Sequence, residues 1–517
     1  MYFSPIHDSE IPHDADGVIF WGGYPERYAK ELSENKSMIK SVKKVIDSGI
    51  ACIAECGGFL YLHSYLEGTD GKKYPMAGII DGEAVNGKRL QRFGYMEVTP
   101  VSDGMACRCM QPLKTHEFHY WKSCNPGSDF QVKKVSDESI SMAGYNTEKL
   151  YAAFMHIYFF GNEEFGMNFI KKSCEYAAKK HWNNIAKPLN GLGDFEDIIV
   201  KIAGIQNTEH VDISKKALVI MCADNGIVEE NVSQSGQDVT AIVAANMASR
   251  KSSVCLMAGY TGAQVIPVDI GIACETIPSG KKIDDMDGIL HKKISHGTKN
   301  FLKEHAMTDK QCIKAIETGK EIVKMCSEKG INIIATGEMG IGNTTTSAAL
   351  AAILLDEKPE NVTGYGAGLT NEGLKNKTET VRKACEMYSG YKDDALKLLS
   401  CIGGLDIAGL AGVFIGGAEY GIPVVIDGLI SGIAALTAEY MSPGTKKYMI
   451  ASHAGKEPAL KKILTHLELK PVIDANLALG EGSGAVMVFP LLDMAMSVYN
   501  ESNTFENIDM EAYECLH

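Results

Sequence analysis

Short runs of apolar and β-branched residues, each closed by a glycine or a polar turn and most followed by a helical stretch, recur along this chain. In the C-terminal part they are KALVIMCADNG, AQVIPVDIG, INIIATGEMG, IPVVIDG and KYMIASH, with helical stretches such as DVTAIVAANMASR and TTTSAALAAILL between them. In the N-terminal part DGVIFWGG and IACIAEC flank the helical KSMIKSVKKVIDSG. Strand–helix alternation of this kind predicts parallel sheets wrapped by helices, an α/β fold. A chain of 517 residues is too long for one core. Two domains are therefore expected, residues 1–165 and residues 180–517. The seam falls near CEYAAKKHWNNIAKP, a charged helix ending before Pro188.

Charge and composition narrow the function. A formal net charge of −14 argues against non-specific binding to nucleic acid or to an anionic membrane. The N-terminus carries no basic flank followed by an apolar run, and the most apolar stretch is interrupted by Glu419 and Asp427. A cytoplasmic protein is expected. The 14 cysteines are scattered with no CxxC pair, so reduced thiols are expected and no metal site or other cofactor.

In an open α/β sheet, ligands sit at the carboxyl ends of the strands. The C-terminal part places Asp224, Asn225, the GEMGIGNTT loop, Asp427, Ser452 and His453 there. The loop nearly spells a P-loop, but Asn343 stands where a P-loop has lysine. Gly337, Gly340 and Gly342 let backbone approach a ligand, and Thr344 to Thr346 open a helix, which suits a single phosphate. The same residues also read as a tight turn with threonine caps. Downstream, VTGYGAGLTNEGLKNK ends in Lys377, a cation for that phosphate or a solvated lysine. Glu481, between Gly480 and Gly482 in a largely apolar stretch, is either a desolvated base with a raised pKa or a turn residue facing water.

In the N-terminal part, IACIAECGGFLYL places Cys56 after an apolar strand and before two glycines and a helix. Such an elbow projects the sulfur above the sheet, and the helix start favours a nucleophilic thiolate. His156, in YAAFMHIYFFGN, is a base about a hundred residues downstream, and Gly22 and Gly23 offer backbone amides to an oxyanion. A buried cysteine at a strand end is the plainer alternative.

Taken together, AKPLNGLGDFED, MCADNGIVEE, VTAIVAANM, GEMGIGNTTT, NKTETVRKA, GGLDIAGLAGVFIGGA, IPVVIDGLIS and LGEGSGA resemble the nicotinate-nucleotide–dimethylbenzimidazole phosphoribosyltransferases over nearly all of residues 180–517. The resemblance implies a Rossmann-like parallel sheet with a smaller helical part, a homodimer, and Glu481 as catalytic base. It also implies that Glu338, Gly340, Gly342, Asn343, Thr344 and Thr345 hold nicotinate mononucleotide, with Lys377 near its phosphate and Ser235 at the benzimidazole. Asn225 and Val243 depart from residues found in some members, which leaves the preferred benzimidazole-type base open. A monophosphate requires no lysine reaching past a β-phosphate, so Asn343 is compatible with it.

FSPIHDSEIPHDADGVIFWGGYPE, AECGGFLYL, THEFHY and the His156 segment resemble the class I glutamine amidotransferase domain of cobyrinate a,c-diamide synthases. The resemblance implies Cys56 as nucleophile toward glutamine and His156 as its base, while Tyr158 replaces the second histidine of the usual H-x-H. Such synthases also use an ATP-binding domain, and no complete P-loop occurs here. A separate ATP-dependent corrinoid synthetase subunit is therefore an expected partner. Two alternatives stay open: an N-terminal part that is a remnant or docking module, and a chain that only binds aromatic bases or nucleotides.

Overall fold

The computed structural model describes residues 1–276 and 288–513. They form two compact units, one from Met1–Asn184 with Asn207–His210, the other from Ile185–Gln206 and Val211–Glu511.

In the first unit the strands Gly17–Phe20, Ala51–Glu55 and Leu150–Ala153 lie side by side and parallel, and Tyr145–Asn146 adds an antiparallel edge. Every residue of Ala51–Glu55 is buried. The helix Lys36–Asp47 has its Met38 and Val42 in the core, and Asn35 caps its start by accepting the Met38 N–H. The stretch from 63 to 157 departs from the expected strand–helix alternation. It holds the short strand Leu150–Ala153 of the parallel sheet and two further sheets. The larger runs antiparallel in the order Ile140–Ala143, Phe130–Lys134, Arg92–Pro100, Leu113–His119, His156–Ile157. The reason is legible in burial. Met96 and Val98 of one strand and Leu113, Thr115 and Glu117 of the next are buried while their neighbours face outward, the period-two pattern of a sheet with one wet face.

The second unit is built on six parallel strands in the order Leu290–His291, Gln264–Gly271, Lys216–Ala223, Ile333–Met339, Val424–Ile426, Met449–Ala451. Lys216–Ala223 is buried throughout, as expected of a strand covered on both faces. The helices Asp309–Glu328 and Leu405–Tyr420 meet through glycine. A Cβ on Gly319 would lie 2.0 Å from the Gly409 carbonyl oxygen, and one on Gly412 would lie 2.0 Å from that of Ile316. Only bare backbone permits that approach. The order of the strands brings four carboxyl ends to one edge, so Asp224, Gly340, Asp427 and Ser452 each follow directly on a sheet strand.

Candidate active sites in the two units

At the sheet edge of the second unit, the chain leaves Ile333–Met339, turns at Gly340 and enters the helix Asn343–Leu354 through Gly342 in the left-handed region, φ 95°. A Cβ on Gly340 would stand 2.1 Å from the Ala223 carbonyl oxygen and 2.8 Å from Asp406 Oδ2, so the turn requires glycine. The Asn343 amide donates to Glu338 Oε2 and to Asp406 Oδ2, the latter at 3.1 Å. The residue in the P-loop lysine position thus bridges the partly buried Glu338 and the buried Asp406. Burial raises Glu338 to about 8, against the Asn343 hydrogen bond and with help from Asp406, Asp427 and Glu481. Asp406 is raised by burial to about 6, again opposed by Asn343.

Lys377 is fully buried, and its ammonium donates to Thr344 Oγ1 at 2.9 Å and to the Gly364 carbonyl at 3.1 Å. Burial lowers the amine to about 8. The loop beside it is pinned by the Gly366 N–H donating to Glu457 Oε1 at 2.9 Å. Next to Thr344 on the helix, the Thr345 hydroxyl is buried without a hydrogen-bond partner. The structure therefore joins Lys377 to the threonine loop across 33 residues of sequence.

Glu481 occupies a turn in which three successive residues, Gly480, Glu481 and Gly482, have φ of 78°, 61° and 92°. Its carbonyl backs against Gly337, where a Cβ would be 2.4 Å away, and a Cβ on Gly480 would be 2.9 Å from Glu338 Oε1. The turn is held by Asp427, whose carboxylate accepts the N–H groups of Gly482 (3.2 Å), Gly484 (2.8 Å) and Ala485 (3.1 Å) at the start of the helix Ser483–Glu501. Half-burial raises the Glu481 carboxyl, the Val254 N–H lowers it and Asp427 raises it further. Its Oε2 is buried and unpartnered. Ser235 lies on an exposed loop, where its backbone bonds to the Ser233 hydroxyl. Gln234 ties that loop to the Gly368 carbonyl at 2.7 Å.

Sequence reasoning placed Asp427 at the ligand edge of the sheet without giving it a role, and did not single out Asp406, an acid in an otherwise apolar helix. Neither pattern says which amides the carboxylate will meet.

In the first unit Cys56 stands between the strand Ala51–Glu55 and the helix Gly57–Tyr61 with φ 49° and ψ −101°. A non-glycine residue held there costs roughly 1–3 kcal/mol, a cost commonly found at functional sites. A Cβ on Gly57 would lie 2.7 Å from the Gly23 nitrogen, and one on Gly22 would lie 2.8 Å from His156 Cε1 and 3.8 Å from Cys56 Cβ. The elbow, the Gly22–Gly23 turn and His156 are thus mutually packed. His156 Nδ1 is 3.1 Å from Glu55 Oε2, and Glu55 Oε1 accepts the Ile157 N–H at 3.0 Å. The imidazole is raised to about 10, first by its hydrogen bond with Cys56 and then by Glu55, against burial. Tyr158 is exposed.

Known proteins repeat this division. The phosphoribosyltransferase family matches residues 167–509, and the CobB/CobQ-like glutamine amidotransferase domain matches residues 1–164. The nicotinate-nucleotide–dimethylbenzimidazole phosphoribosyltransferase of Acetivibrio thermocellus is 44% identical over 338 residues, covering 65% of this chain and 93% of its own length. That of Clostridium acetobutylicum is 41% identical over 351 residues, covering 68% and 97%. The crystal structure of CobT from Thermus thermophilus superposes with a TM-score of 0.62 at 32% identity, covering 66% of this chain and 99% of that one. The chain belongs to the nicotinate-nucleotide–dimethylbenzimidazole phosphoribosyltransferase family, and joins to it an N-terminal CobB/CobQ-like glutamine amidotransferase domain.

Proposed function

We propose that the second unit transfers the phosphoribosyl group of nicotinate mononucleotide to 5,6-dimethylbenzimidazole, giving alpha-ribazole 5′-phosphate and nicotinate. The observation that carries this reading is Glu481, a carboxylate on a turn of three left-handed residues with one oxygen buried and unpartnered. Lys377, Thr344 and the unpaired Thr345 hydroxyl supply a cation and hydroxyls to the phosphate. The Asn343–Glu338–Asp406 group lies beside the ribose. The departing pyridinium already carries positive charge and needs no acid. The incoming base must lose its N–H proton, and Glu481 takes it. Incubation with nicotinate mononucleotide and a panel of benzimidazoles, with products identified by mass, tests the assignment. Absence of any ribosylated base would refute it.

We further propose that the first unit releases ammonia from glutamine through Cys56 and His156, with the Gly22–Gly23 amides receiving the oxyanion. The ammonia serves a corrinoid amidation whose ATP-dependent step lies on a separate synthetase subunit. The exposed Ile242, Leu256, Tyr260 and Met494 support a homodimer formed through the second unit; sedimentation measures it. Unpaired thiols among the described residues and the absence there of any helix long and apolar enough to cross a membrane agree with a cytoplasmic setting.

A further inference from the structure

The residue immediately before the nucleophile is a buried acid, 2% exposed, at the end of a strand whose other residues are Ala, Cys, Ile and Ala. Glu55 pairs in register with Ala153 on the parallel neighbour strand, so it stands at the level where the chain runs on to His156. Its two oxygens engage consecutive residues, Oε2 the ring Nδ1 of His156 and Oε1 the main-chain N–H of Ile157. One carboxylate thereby fixes the imidazole against its own backbone. With Nδ1 turned to Glu55, Nε2 is the nitrogen left for the sulfur.

We propose that Glu55 is the positioning residue of a Cys56–His156–Glu55 relay, in which the orienting acid precedes the nucleophile in sequence. The assignment rests on the amidotransferase reading of the first unit. The carboxylate accepts a hydrogen bond from Nδ1 and turns Nε2 toward the sulfur. The Cys56 proton passes to Nε2, giving the imidazolium that Glu55 favours, and the thiolate sulfur bonds to the glutamine side-chain carbonyl carbon. The carbon–nitrogen bond then breaks, and ammonia leaves with the proton returned from Nε2. Water adds to the thioester with Nε2 taking its proton, and glutamate departs as that proton restores the thiol. Glutamine and water become glutamate and ammonia.

The raised imidazole agrees with this geometry, since both Cys56 and Glu55 favour its charged form. The other titratable groups around it are His116, opposite His156 on the strand Leu113–His119, Glu117 beside it, and Tyr151, whose phenol is raised by burial and then by Glu55 and Glu117.

The test uses the full chain with Glu55→Gln and Glu55→Asp. In Glu55→Gln the amide oxygen still accepts the Ile157 N–H, but its NH₂ donates to Nδ1 and leaves the proton on Nε2, the wrong tautomer for a base. Glutaminase kcat should fall about 10²–10⁴-fold with KM for glutamine nearly unchanged. The His156 ring titration, followed by NMR, should move down toward the ordinary histidine range. Glu55→Asp, which keeps the charge, should recover part of the rate and of the titration shift. If Glu55→Gln does not fold, Glu55→Asp decides alone: unchanged kcat with unchanged titration overturns the relay. If the wild-type chain neither hydrolyses glutamine nor labels at Cys56 with a glutamine-analogue electrophile, the amidotransferase reading itself falls. If the wild type is active and Glu55→Gln matches it in rate and His156 titration, only the Glu55 assignment falls.

Discussion

Replacing Glu481 with glutamine keeps the shape of the side chain and its capacity to accept the Val254 N–H, but removes the ability to take a proton. Among the described residues, no carboxylate around the turn stands ready to substitute. Asp427 is committed to three backbone amides, and Glu338, raised to about 8, holds its proton at neutral pH. Loss of a general base costs about 10²–10⁴ in rate, which is about 2.7–5.4 kcal/mol of barrier. Because Lys377, Thr344 and Thr345 are untouched, KM for nicotinate mononucleotide should change little. The pH profile supplies a second signature. Burial raises the Glu481 carboxyl above its ordinary value, so wild-type kcat should fall tenfold per pH unit below that raised pKa. The variant has no carboxyl there to titrate, and its acidic limb should vanish. Steady-state kinetics with dimethylbenzimidazole across the acidic and neutral range measures both effects. A variant that turns over within a few-fold of wild type, or that keeps the same acidic limb, refutes Glu481 as the base.

The neutral Glu338 predicts the opposite limb: with nicotinate mononucleotide saturating, wild-type kcat should decline above pH 8, and Glu338→Gln, neutral at every pH, should abolish that decline in kcat. In stability the sign is that of a raised carboxyl. The fold loses free energy as pH rises from the ordinary value of 4.5 to about 8, so the melting-temperature gain of Glu338→Gln should grow through that window and then level off. Lys377→Met removes a charge-assisted contact and should raise KM for nicotinate mononucleotide about 10–100-fold with kcat within a few-fold; in the wild type KM should climb as pH passes about 8, where the amine loses its proton. Cys56 should react with a glutamine-analogue electrophile while the other cysteines react slowly, as mass mapping of a digest will show; even labelling of all thiols would favour the remnant reading.

The parallel sheet of the second unit was legible because its strands are continuous apolar runs, each closed by glycine or an acid. Residues 63–157 were not, since half of each strand faces water and the apolar runs dissolve into alternation: in RFGYMEVTP only Met96, Val98 and Pro100 are buried. At the site, the glycine loop, Cys56 and His156 could be singled out by residue type and spacing, whereas Lys377 and Glu481 read equally well as solvated residues until the family resemblance was drawn. The contacts that support them were not legible. Asp427, Asp406 and Glu55 act by meeting amides and rings that lie 55 to 102 positions away along the chain. Such pairings arise from strand order and register, which a linear pattern does not carry.

The turn at Gly480–Glu481–Gly482 places opposing demands on one position. Its left-handed φ of 61° is a geometry that glycine adopts freely and that costs other L-residues roughly 1–2 kcal/mol. Half-burial of the carboxylate adds a desolvation penalty to that strain. Drift toward a more stable fold would therefore favour a third consecutive glycine here. Such a chain would fold at least as well and would lack the carboxylate proposed as the base. On the proposed assignment, the glutamate combines a stability cost of its own backbone with a catalytic role, as Cys56 does in the first unit.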